Sequence, residues 1–230
     1  MHWLRDFIEL FFPRQCCVCG TPLVDGEDEI CTTCLLDLPE VLTAQGDENF
    51  VERRFWGRLP VQHATALLIF KRKSKSQRIL HQIKYNGNEK LALIMGRQLG
   101  LRLSANGLFD DVDLLVPVPL HRRKERHRGY NQSLLLCQGI AQTFPRPIVS
   151  GNLVRTRHTD SQTHKNRIQR LENMKGVFAV KEPNALQGKH ILLVDDVITT
   201  GATSEACWAA MSQIQGLRIS IAALAVSGDT

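Results

Sequence analysis

Apolar residues along this chain follow two rhythms. Compact runs such as "HATALLIF" (63–70), "DLLVPVPL" (113–120, stopped by its prolines) and "ILLVDDVI" (191–198) have the length of strands buried on both faces. Between them the apolar positions spread to three- and four-residue spacings. "SQRILHQIKYNGNEKLALIMGRQLGLRLS" (76–104) reads as two helices broken at Asn86-Gly87, and further helices are expected from about Asn131 to Phe144 and over 203–214. Short strands near Leu153 and at 177–180 and a last one at 217–226 complete the pattern, with "HRRKERHRG" (121–129) expected as a basic loop. Strands alternating with helices predict an α/β fold with a mainly parallel sheet covered on both faces.

The start of the chain differs. Trp3, Phe7, Leu10 and Phe11 share a face of a short amphipathic helix, and Arg5, Asp6 and Glu9 interrupt it too often for a signal peptide or membrane span. A cytoplasmic protein without stable membrane insertion is therefore expected. Cys16-x-x-Cys19 and Cys31-x-x-Cys34 follow, with Gly20, Pro22 and Gly26 between the pairs. Two such knuckles can bring four thiolates around one structural Zn²⁺, whose binding energy folds a segment too small for its own core. Cys17 lacks the two-residue spacing and is read as a bystander. Residues 1–45 are thus expected to form a helix and zinc ribbon, 46–60 a polar connector, and 61–230 the main domain.

A net charge of +6 and a pI near 9.1 suit anionic partners, phosphorylated metabolites and nucleic acid alike. The stretch "ILLVDDVITTGAT" (191–203) adds chemistry. Adjacent Asp195 and Asp196 repel each other and call for a counter-charge, hydroxyl donors or solvent; ending a strand and capping a helix is the plainer reading. Thr199, Thr200, Gly201, Ala202 and Thr203 would fold over a helix N-terminus, where free N–H groups and the helix dipole attract phosphate. The two carboxylates could then accept hydrogen bonds from the vicinal hydroxyls of a ribose. Arg126 and Arg128, in the basic stretch, could meet a pyrophosphate, or that stretch is a solvated basic surface. Residues 155–173, polar until Ile168, read either as a mobile lid or as a solvated amphipathic helix.

"VDDVITTGAT" resembles the motif with which type I phosphoribosyltransferases bind 5-phosphoribosyl 1-pyrophosphate (PRPP). Together with the four-cysteine knuckle, "IKYNG" (83–87), "VPVPLHRRKERHRGYNQS" (116–133) and the "TDSQ" to "RLEN" segment (159–173), it is similar to the competence-associated ComF family over nearly the whole chain. The resemblance implies the type I phosphoribosyltransferase fold, with Asp195 and Asp196 on the ribose hydroxyls and Thr199 to Thr203 on the 5′-phosphate. It implies Lys84 as a further phosphate contact, Mg²⁺ accompanying the pyrophosphate, and a link to natural competence and DNA uptake. Either phosphoribosyl transfer with release of pyrophosphate follows, or non-catalytic sensing with single-stranded DNA, a competence helicase or uptake-channel proteins as partners. Enzymes of this class that act on 6-oxopurines usually carry an acid where Thr199 stands, so purine salvage is not expected. No catalytic residue or acceptor can be named.

Overall fold

The computed structural model describes residues 13–41, 49–156 and 176–228. The amphipathic stretch around Trp3 to Phe11, the boundary at 45 and nearly all of the segment 155–173 lie outside those residues. The chain first forms α1 (Thr32–Leu36), which carries the second cysteine pair, and α2 (Phe50–Arg53). The main sheet is all parallel, in the order β1 (Val61–Phe70), β6 (Arg218–Ser227), β5 (His190–Ile198), β2 (Leu114–Pro117). Between β2 and β5 lie β3 (Leu153–Arg155) and β4 (Phe178–Val180), which pair antiparallel as a separate small sheet.

β5 is central, and its side chains alternate strictly as far as the aspartates. Leu192 and Val194 enter the core beneath α3 (Lys75–Tyr85), α4 (Glu89–Asn106) and α6 (Gln132–Ala141). Ile191 and Leu193 enter the opposite core, shared with α7 (Ala202–Met211), Phe55 and the small sheet. Complete burial of each of these leucines contributes about 1.5–3 kcal/mol. α4 and α6 approach so closely that a Cβ on Gly139 would lie 2.3 Å from the Leu93 carbonyl oxygen, so only glycine fits there. That contact fixes the height of α6, whose first residue, Gln132, reaches the site described below.

The cysteine segment packs on α3: Arg78 donates to the Val18 carbonyl (2.7 Å) and Gln82 to the Cys17 carbonyl (3.4 Å). Cys16, Val18, Ile30 and Cys34 share the core that holds Ile79 and Ile83 of that helix.

The expected basic loop is a helix, α5 (Arg122–Arg128), begun by the His121 ring, which accepts from the Arg123 N–H (3.2 Å), and ended by Gly129 in the left-handed region. Arginine, lysine and glutamate are good helix formers, and without an apolar face their periodicity gave no signal. The helix after it stops at Ala141, three residues short of expectation.

At the amino end of β5 the His190 ring is fully buried, its Nδ1 2.9 Å from Asp111 Oδ1 and its Nε2 2.9 Å from Ser220 Oγ. Asp111 also pairs with Arg218 (2.5 Å). Serine, histidine and aspartate in that order have the layout of a nucleophilic triad. Ser220, however, is wholly enclosed, and its oxygen already accepts from the His63 N–H (3.2 Å), so no substrate can reach it and the cluster is a structural lock.

Candidate functional site

The opposite, carboxyl end of β5 carries Asp195 and Asp196, and strand alternation sends them to different layers. Asp196 meets helices: Lys84 Nζ of α3 lies 2.8 Å from its Oδ1, and Gln132 Nε2 of α6 donates to its Oδ2. Gln132 also accepts from Arg128, so the chain of contacts runs from α5 through the amide to the carboxylate. Asp195 lies in the other layer, where Arg155 of β3 opposes its charge, and its Oδ1 accepts the Asp196 N–H (2.8 Å). Burial, and secondly the negative charge of Asp196, push the Asp195 carboxyl up to about 7. Near neutral pH it can therefore either accept or donate a proton. Both residues are buried, with one firm counter-ion at Asp196.

Immediately beyond, the strand turns through Thr199 and Thr200 to Gly201, which caps α7 with φ +82°. A Cβ at Gly201 would stand 2.7 Å from the ring of buried Phe55, so glycine is required both by the backbone and by that ring. The loop rests on the segment after α2. Arg54 donates to the Thr199 carbonyl (2.5 Å), and Arg58 to the Thr200 carbonyl (2.7 Å) and to Glu205 in the first turn of α7. The polar connector expected at 46–60 is therefore, from Asn49 on, the floor of the loop. Val51, Phe55 and Leu59 at spacings of four were its sequence signal.

Next to the paired carboxylates is an open cavity of about 510 Å³, lined by Lys84, Tyr85, Gly87, Arg123, Lys124, His127 and Arg128. Lys84 belongs both to this cavity and to the ion pair with Asp196. Of the two arginines singled out in the sequence, Arg128 is in the lining, while Arg126 is exposed on α5 and outside it. The helical period separates them: two residues apart on a helix, side chains do not face the same way. Gln132, Arg155, Arg54 and Arg58 were missed, because each lies far in sequence from what it serves.

The thiols of Cys16, Cys19, Cys31 and Cys34 all lie within 4.8 Å of one another, with 3.7 Å between Cys19 and Cys31. Tetrahedral bonds of about 2.3 Å give sulfur–sulfur edges of about 3.8 Å, so the donor set fits one ion. The Cys31 N–H on Cys16 (3.3 Å) and the Cys34 N–H on Cys31 (3.4 Å) orient the sulfurs, as ligand-supporting hydrogen bonds do. Cys17 is outside this cluster and half-buried, and burial pushes its thiol up to about 12. Among the described residues, no helix is long and apolar enough to cross a membrane.

The family described as phosphoribosyl transferase domain matches residues 131–229, from the cap of α6 through β6. The DNA utilization protein YhgH of Escherichia coli K12 is 36% identical over 129 residues, 54% of this chain and 56% of that protein. Competence protein F of Haemophilus influenzae is 35% identical over 92 residues, 40% of either chain. The chain thus spans about half the length of the curated relatives it matches. Among solved structures, the glutamine PRPP amidotransferase of B. subtilis has a TM-score of 0.42 and 14% identity, over 63% of this chain and 30% of that one. The parallel sheet flanked by helices and the matching domain give the chain a type I phosphoribosyltransferase fold with a four-cysteine cluster near its N-terminus, and these relatives support a ComF family protein.

Proposed function

We propose that the protein binds PRPP at the carboxyl end of β5 and transfers its phosphoribosyl group to an acceptor with release of pyrophosphate. The observation that carries this reading is the buried pair Asp195 and Asp196, directly before a glycine-capped helix N-terminus. Two carboxylates one residue apart can accept both ribose hydroxyls, while the N–H groups and hydroxyls of Thr199 to Thr203 take the 5′-phosphate. Lys84 and Arg128 stand in the adjoining cavity, where the pyrophosphate would lie, and Mg²⁺ would be held largely by its oxygens. Displacement at C1 of the ribose needs positioning and stabilisation of the departing charge, which these cations supply. The four cysteines would hold a structural Zn²⁺.

Calorimetry with PRPP and Mg²⁺, paired with a pyrophosphate-release screen over bases and amines, tests the reading. Binding abolished by Asp195→Asn with Asp196→Asn is expected; unchanged binding would refute it. Binding without turnover would leave a PRPP sensor. For the metal, about one zinc per chain is expected in the purified protein, and retention of zinc after Cys16 and Cys34 are replaced would contradict it.

A second reading has its own support in α5, whose Arg122, Arg123 and Arg126 are exposed together, and in the names of the competence and DNA-utilization relatives. Single-stranded DNA would then run along this helix, with helicase or uptake-channel proteins as partners. Its affinity should fall steeply with salt and drop when Arg122, Arg123 and Lys124 are neutralised; salt-indifferent binding would exclude it.

A further inference from the structure

A loop that cradles an anion must turn its N–H groups inward, and nothing in "TTGAT" itself enforces that orientation. Threonine and glycine leave the peptide planes free, and in an empty cradle several converging N–H dipoles repel one another. The orientation has to come from outside the loop.

It comes from residues some 140 positions earlier. Arg54 holds the Thr199 carbonyl at 2.5 Å and Arg58 holds the Thr200 carbonyl at 2.7 Å. In a planar trans peptide the C=O and the next residue's N–H point in opposite directions. Pinning these two carbonyls to the α2 side therefore turns the Thr200 and Gly201 N–H groups to the other side, where the phosphate would sit. Four further contacts make the arrangement a clamp. Arg54 also donates to Ser227 at the end of β6, through its hydroxyl (3.2 Å) and its carbonyl. Arg58 holds the Arg54 carbonyl (2.6 Å), so the two arginines support each other. Arg58 also pairs with Glu205, whose carboxylate, in the first turn of α7, would otherwise repel an anion at the same helix end. The Phe55 ring fills the space under Gly201 between them.

We infer that Arg54 and Arg58 are positioning residues: without touching the ligand, they lock the Thr199–Gly201 peptides in the anion-accepting orientation. The inference rests on the reading of this loop as a phosphate cradle.

The test combines calorimetric titration of ribose 5-phosphate and of PRPP with hydrogen exchange of residues 199–205, on the native chain and on Arg54→Ala, Arg58→Ala and Arg58→Lys. Loss of one charge-assisted hydrogen bond of this kind corresponds to about tenfold weaker binding of both ligands and about tenfold faster loop exchange. Arg58→Lys keeps the charge but cannot span, as the two guanidinium nitrogens do, the Arg54 carbonyl on one side and the Thr200 carbonyl with Glu205 on the other, so it should fall between. A purely structural role would lower the melting temperature of the variants while leaving ribose 5-phosphate affinity and loop exchange as in the native chain, and that result overturns the inference. Native protein that binds neither ligand would sink the phosphate reading and this inference with it. That failure is recognisable because it appears before any arginine is replaced.

Discussion

At its amino end β5 begins with a buried histidine whose two ring nitrogens both have partners, and near its carboxyl end it carries two buried aspartates, of which Asp196 holds an amide and a lysine that also lines a cavity. Either end, read only as a cluster of ionisable side chains, looks like chemistry. What separates them is room. Around His190 the partners come from the fold itself and the serine has no opening to solvent. Beside Asp196, Lys84 faces a space of about 510 Å³. A buried polar group earns a functional reading when part of its hydrogen-bonding and charge balance is left for something to bring in.

The comparison is broken most severely at Gly201. Gly201→Ala forces a positive φ on a residue with a Cβ and drives that Cβ into the Phe55 ring, and should cost about 2–4 kcal/mol, read in denaturant melts, with loss of PRPP binding. At the other end, His190→Ala empties a fully buried ring site and takes one partner each from Asp111 and Ser220, which keep Arg218 and the His63 N–H, and should cost about 2–3 kcal/mol of stability with PRPP affinity unchanged. Changed affinity would mean that the two ends are coupled.

The two ends should also carry opposite pH signatures. Burial lowers the His190 pKa below its ordinary 6.5, so the unfolded chain binds the extra proton and stability falls as pH drops through and below about 6.5. Asp195 has its carboxyl raised from 3.8 to about 7, so the folded chain binds the extra proton and stability falls as pH rises from about 4 through 7. Asp195→Asn keeps an oxygen for the Asp196 N–H and removes that charge. It should raise the melting temperature by several degrees at pH 8 and by progressively less toward pH 4. A gain independent of pH would show that the charge was not the cause. The smallest effect belongs to Arg126→Ala, within about 0.5 kcal/mol of native stability and with PRPP affinity unchanged, whereas Arg128→Ala should weaken PRPP binding. Equal losses from both would return the pyrophosphate site to the whole of α5.

The sheet was legible in the sequence because parallel strands buried on both faces are near-continuous apolar runs, and "ILLVDDVI" and "HATALLIF" are such runs. The aspartates and the threonine–glycine turn were legible because they are contiguous. α5 was not, since a helix without an apolar face has no period to detect. The pairings within the site were hidden by distance: Lys84, expected as a phosphate contact, lies 112 residues from its ion-pair partner Asp196, and Arg58 lies 142 from Thr200. "AQGDENFVERRFWGRLP" reads as a connector because it is polar and of mixed charge. Two of those charges, Arg54 and Arg58, are spent on carbonyls that no local pattern reveals.

Helix α3 carries one last implication, for anyone cutting the gene. It grips the cysteine segment through Arg78 and Gln82, and about 9 Å along its axis from Arg78 it delivers Lys84 to Asp196. The matching domain begins only at residue 131, so a fragment trimmed to it would discard the lysine, the floor of the loop and the first strand of the sheet together. The boundary drawn by sequence similarity is not a place where this molecule can be divided.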